Sequence, residues 1–186
     1  MIHREMVWSL AAAVSLASPA WSDDAFCADW SRAEVARAVA GTWNGTTTVT
    51  VTAQGYTQVM GPGPSTITHQ GSADGGTFTV ADAAPPMPST YEWTFMDTSL
   101  AADDLVAKGS APIGVTLDEM GLVLGCDPED VPQLYTEIEV ATGEVQVSGC
   151  FVTLVFSPSA IATVGTVDIT SSDGVMTLSS QSAGSR

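Results

Sequence analysis

The chain changes its hydrophobic period abruptly near Thr42, and the change divides one well-signalled helix from a long run of strands. Ser31-x-x-Glu34 is a capping box, in which a hydroxyl and a carboxylate satisfy each other's orphan amides at a helix start. Trp30 and Val35 stand at the flanking staple positions, Ala33 to Ala40 is alanine-rich, and Gly41 is placed to end the helix. From Thr42 the period becomes two. In Thr46 to Ala53 one face is all threonine and the other is Thr47, Val49, Val51 and Ala53, which predicts a half-buried strand.

The same alternation recurs between turn signals. Gln54-Gly55 leads to Tyr56–Met60, Gly61-Pro62-Gly63-Pro64 interrupts the chain before Ser65–Gln70, and Asp74-Gly75-Gly76 precedes Thr77–Ala81. A proline-rich stretch, Ala83 to Pro88, leads into Tyr91, Trp93 and Phe95, which share one strand face. Ser99 to Lys108 reads as a short helix, and Ile113–Leu117 and Leu122–Leu124 as short strands. Glu137–Val140 and Val145–Phe156 follow around Thr142-Gly143, then Ile161–Thr170 and Val175–Ser180 around Asp173-Gly174. The expectation is an all-β protein with one short N-terminal helix, an antiparallel up-and-down barrel of about 8–10 strands, with a β-sandwich as the alternative.

The first residues change the boundaries of that domain. A short basic region at Arg4, an apolar run from Met6 to Ala17, and the small residues of Pro19-Ala20-Trp21-Ser22 before Asp23 read as an export signal over residues 1–22. The apolar run falls short of the about 20 residues a membrane-spanning helix needs. Residues 23–186 then form a single domain, expected in the periplasm of a bacterium or secreted from it.

Charge removes several partners. The 186 residues carry 5 Lys+Arg against 21 Asp+Glu, a net charge of -16 and a pI near 4.1. Nucleic acid needs cations on the protein and is excluded, and docking on an anionic membrane surface is disfavoured in the same way. With 45% hydrophobic residues and a mean hydropathy of +0.21, the chain is nonetheless globular rather than an acidic disordered tail. Such a surface suits salty water, where screening relieves self-repulsion.

Three cysteines, Cys27, Cys126 and Cys150, lie in the exported part. Cys126–Cys150 is the favoured disulfide, closing a loop of about 24 residues for roughly 3 kcal/mol, while Cys27 remains a partner for either. His69 is the single histidine of residues 23–186, so zinc sites of several imidazoles are impossible, and no Cys-x-x-Cys pair replaces them. No G-x-S-x-G elbow and no phosphate-cradling loop is present. A carboxylate hydrolase would draw on Glu92, Glu137 or Glu139, but alternation sets Glu92 opposite its aromatic neighbours. The expectation is a protein that is not an enzyme and holds no cofactor. Calcium is the one metal to consider, on Asp127, Glu129 and Asp130 or on Asp97, Asp103 and Asp104.

Gly41-Thr42-Trp43, directly after a short helix and opening the first strand of a small exported β-protein, resembles the first motif of the lipocalins and their calycin relatives. The resemblance implies an eight-stranded barrel with Trp43 closing one end. The family's later motifs, a T-D-Y-type triplet and a final arginine packed on the tryptophan, are not evident as sequence patterns; the only late arginine is Arg186. Avidins also open with G-T-W, and bacterial inhibitors of secreted metalloproteases are similar small barrels with a G-x-W start. Tyr91, Trp93 and Phe95, with Trp43, are the candidate ligand-binding residues, and a small apolar molecule in the lumen is the expected ligand. The alternatives are a protease-inhibitor-like or protein-interaction module, and a structural protein without a ligand.

Overall fold

The computed structural model describes residues 30–83, 86–96 and 130–186. One helix, α1 (Arg32–Val39), precedes eight strands: β1 (Gly41–Ala53), β2 (Tyr56–Ser72), β3 (Gly75–Val80), β4 (Thr90–Phe95), β5 (Gln133–Thr142), β6 (Val145–Ser157), β7 (Ala160–Ser171) and β8 (Gly174–Ser185). Each strand pairs antiparallel with the next, and β8 returns to β1 from Asn44↔Ser185 to Ala53↔Met176. The sheet is therefore a closed up-and-down barrel without a free edge. This is the architecture the alternation predicts, and the sandwich alternative is set aside. The signal segment, Cys27, the 99–108 helix and the strands at 113–124 lie outside the described residues.

The segments on either side of Gly61-Pro62-Gly63-Pro64, which read as two strands, are one. β2 runs through the prolines because its register against β1 shifts between Thr47 and Val49. Such a bulge suspends the ladder locally, so an amide that proline lacks is not missed.

Inside and outside alternate along β1, β4 and β5. Thr47, Val49, Val51 and Ala53 of β1 take the lumen side, and Thr46, Thr48, Thr50 and Thr52 face out. Tyr91 and Trp93 are buried while Glu92 between them is exposed, as are Glu137 and Glu139 on β5. A barrel that spans a membrane shows the reverse, apolar out and polar in. Among the described residues no helix is long and apolar enough to cross a membrane. On one sector the outward face is covered: Val152, Leu154 and Val164 are buried with Met96 and Val131 in a second apolar cluster.

One end of the barrel is plugged. The capping box forms as expected, with the Ser31 amide donating to Glu34 Oε2 at 2.9 Å and the Glu34 amide donating to Ser31 Oγ at 3.3 Å. The Ser31 hydroxyl, which donates to Glu34 Oε2 at 2.6 Å, and then the Ser31 amide hold the Glu34 carboxyl below its ordinary pKa. The helix buries Val35, Ala36 and Val39 against Trp43, Trp93, Leu134 and Val155, all from strand ends on the same side of the barrel. Trp43 Nε1–H donates to the Val39 carbonyl at 2.7 Å, tying the indole to the last turn. Gly41 takes a left-handed φ of 120°, the conformation that lets the chain leave the helix and enter β1 without a Cβ clash.

The C-terminal arginine packs on the plug. The Arg186 guanidinium lies over the Trp43 ring, 4.5 Å from its centroid. It donates to the carbonyls of Ala40 at 2.6 Å, Pro158 at 2.8 Å and Ala38. One side chain thus satisfies the C-terminal carbonyls of α1, places a cation at the negative end of the helix and clasps the β6–β7 turn. Replacing it by alanine is expected to cost about 2–4 kcal/mol, from lost charged hydrogen bonds and cation–π contact. Lysine, with its point charge, recovers only part of this. Urea unfolding of Arg186→Ala and Arg186→Lys measures both.

Candidate functional site

Above the plug the lumen is open. A cavity of about 340 Å³ occupies the half of the barrel away from α1. That is the small end of the range of about 300–1,000 Å³ in which small-molecule pockets fall. Its walls are chiefly Val49, Ile67, Phe78, Val80, Tyr91, Phe151, Val167, Ile169, Met176 and Leu178, inward residues of seven strands' alternation. Ala83, Pro86 and Met87 of the β3–β4 connection line it from the rim. Hydroxyls of Thr47, Ser65, Thr163, Ser180 and Ser182 complete the lining, and no charged side chain is among the described lining residues.

Aromatic packing shapes the middle of this space. Phe78 and Tyr91, paired across β3 and β4, stack with centroids 4.8 Å apart, and Phe151 of β6 meets Tyr91 edge-on at 5.7 Å. The Phe151 ring lies over Gly165, the facing residue of β7, where a Cβ would overlap it. Glycine in mid-strand is what allows the ring to lie there. Burial pushes the Tyr91 hydroxyl up to about 12, so the phenol stays neutral.

The four residues singled out for ligand contact separate into two places. Tyr91 lines the cavity. Trp93, Phe95 and Trp43 do not; they belong to the plug. The Trp93 indole lies against Gly71 and Gly76, with Phe95 edge-on at 5.4 Å. Phe95 is covered by the Arg32 guanidinium of α1 at 5.5 Å. The aromatic stripe does turn inward, but it descends along β4 from the cavity into the closed end. Phe151, Met176 and Leu178 are lining residues that sequence reasoning passed over. The period-two pattern puts each on an inward face, but nothing local distinguishes an inward residue at the cavity from one in the plug.

His69 is buried, 1% exposed, between β1 and β3, opposite Gly41 and Phe78. Its ring lies 5.5 Å from that of Phe78, and neither ring nitrogen has a hydrogen-bond partner. Burial alone lowers its pKa to about 4. The unfolded chain takes up this proton near pH 6.5, the folded chain only near 4. Stability therefore falls as pH drops through that window, by up to about 3 kcal/mol, and the loss is complete below pH 4. His69→Phe should remove this component, read as the difference between the two proteins' urea midpoints at pH 7 and pH 4.5.

The favoured Cys126–Cys150 pair lies partly outside the described residues; Cys150 itself is buried on the outward face of β6, opposite Glu137. The candidate calcium ligands, Asp130 excepted, also lie outside them, and among the described residues no group of three or more His, Cys, Asp or Glu is placed to hold a metal.

Fold and site together define a class: an eight-stranded up-and-down barrel, apolar inside, plugged by a helix at one end and hollow toward the other. No protein-family model matches the sequence, and no curated protein matches it. Among solved structures, the chain is similar to a Bacteroides fragilis NCTC 9343 protein described as a "putative outer membrane protein", at 12% sequence identity and a TM-score of 0.43. The match covers 82% of this chain and 52% of that one, so the chain spans about half the length of that protein.

Proposed function

We propose that this protein is a non-enzymatic, exported, water-facing barrel that binds a small apolar molecule in its lumen. The observation that carries the reading is the cavity of about 340 Å³, walled by apolar side chains and bounded at its rim by the β3–β4 connection. Burying a ligand's apolar surface there is favourable at about 25 cal/mol per Å², and the preformed sheet spends little ordering entropy to receive it. The Trp43–Arg186 clasp agrees with the lipocalin resemblance, and the export-like N-terminus with a periplasmic or secreted site of action. Titration with an uncharged naphthylamine dye tests the proposal, together with native mass spectrometry of the protein with decanol. Saturable one-to-one binding is expected. A dye signal that never saturates, with no adduct in the mass spectrum, would overturn the proposal.

A second reading, a protein-interaction module, is favoured by one observation. The β1–β2 hairpin carries Tyr56, Val59 and Met60 exposed, Tyr56 at 83%. Exposed apolar groups at a tip are the material of protein contacts. Assay against a panel of secreted proteases tests the inhibitor form of that reading, and inhibition of none of them would contradict it.

A further inference from the structure

The cavity wall is not uniformly apolar, and its polar part has a definite place. On β1, β7 and β8 the lining residue nearest the plugged end is in each case a hydroxyl: Thr47, Thr163 and Ser182. Strand register joins them into one row. Thr163 is opposite Ser182 across β7 and β8, and Ser182 is opposite Thr47 across β8 and β1. The row continues to Thr153 of β6, whose hydroxyl is 2.8 Å from that of Thr163. One step further toward the plug, the inward residues become Ile161, Gly184 and Val155, apolar again.

Thr163 is therefore already committed to Thr153, whereas Thr47 and Ser182 make no side-chain hydrogen bond among the described residues. Toward the rim, past Ser180 of β8, the same strands present Val49, Val167, Ile169, Met176 and Leu178. The described cations are spent elsewhere: Arg32 on Phe95, Arg37 on the Ala33 carbonyl, and Arg186 on the helix end, all at the plugged side. Hydroxyls without a cation solvate a neutral oxygen well and a carboxylate poorly, because a desolvated charge needs an opposite one.

We infer that the lumen selects an uncharged amphiphile, such as an alcohol, ketone or ester on an apolar body. It binds with its oxygen toward Thr47 and Ser182 and its chain toward Met176 and the rim. This rests on the lumen-binding function proposed above and adds the chemistry and direction of the ligand.

The test compares decanol, decanoate and decane by displacement of the naphthylamine dye at pH 8, with wild type and with Thr47→Val/Ser182→Ala. Valine and alanine keep the strand's shape and remove only the hydroxyls. Wild type is expected to favour decanol over decanoate by at least about ten-fold, and the variant to lower the decanol-to-decane affinity ratio by about ten-fold, the worth of one well-made net hydrogen bond. A loosened barrel would weaken all three probes together and leave that ratio unchanged, which would overturn the inference. Decanoate binding as tightly as decanol would also overturn it while leaving lumen binding intact. Failure of dye and all three probes to bind would overturn the lumen-binding function itself, and this inference with it.

Discussion

Replacing Trp43 by alanine is expected to remove about 3–5 kcal/mol, the usual cost of deleting a large buried aromatic side chain. Three losses coincide at this residue. The indole is 1% exposed, so its whole apolar surface returns to water or to a void. The Val39 carbonyl loses its Nε1–H donor at the end of α1, and Arg186 loses the ring it lies on. Against a total stability of about 5–15 kcal/mol for a domain, a loss of this size is a large fraction. Trp43→Phe keeps most of the volume and drops the N–H, so it should cost about 1–2 kcal/mol. Guanidinium unfolding of the two variants separates packing from hydrogen bonding. A Trp43→Ala midpoint close to wild type would contradict the plug as described.

The second large effect is on binding. Ser180 lies on the inward face of β8, between Val49 of β1 and Gly165 of β7, in the middle of the cavity wall. Ser180→Trp places an indole in the space a ligand would use, and dye binding should be lost. Folding should survive, because the added ring fills a void and displaces no packed neighbour, although overpacking can cost about 1–3 kcal/mol. The neighbouring Ser179 faces outward, 3.3 Å from the Thr166 hydroxyl. Ser179→Trp should therefore leave affinity within about two-fold of wild type, since one step along a strand crosses the sheet. The pair of variants differs by one residue in sequence and by one side of the barrel in space. Equal effects from both would contradict the lumen as the binding site.

The barrel was legible because its signal is local and repeated. Threonines alternate with valines in β1, Glu137 and Glu139 take the outer face of β5, and turn residues mark most hairpins. Among the described residues, the strand break read at Gly61 to Pro64 came from treating proline as an interruption where a bulge accommodates it. The site was less legible, for a physical reason. Tyr91, Trp93 and Phe95 share a face, and sequence shows that much, but how far each lies along the barrel axis depends on pairings across all eight strands. Arg186 shows the same limit. No motif surrounds it, and its role appears only when β8 returns beside β1 and brings residues 146 positions apart into one clasp. The hydroxyl row of Thr47, Thr163 and Ser182 likewise exists only once three distant strands are in register.

Crystals soaked with bromodecane show whether an apolar molecule occupies the lumen above the Trp43 plug. An anomalous bromine signal is expected inside the barrel, among Phe151, Leu178 and Met176. Bromine found only on the outer surface, with the lumen closed by its own side chains, would contradict lumen binding.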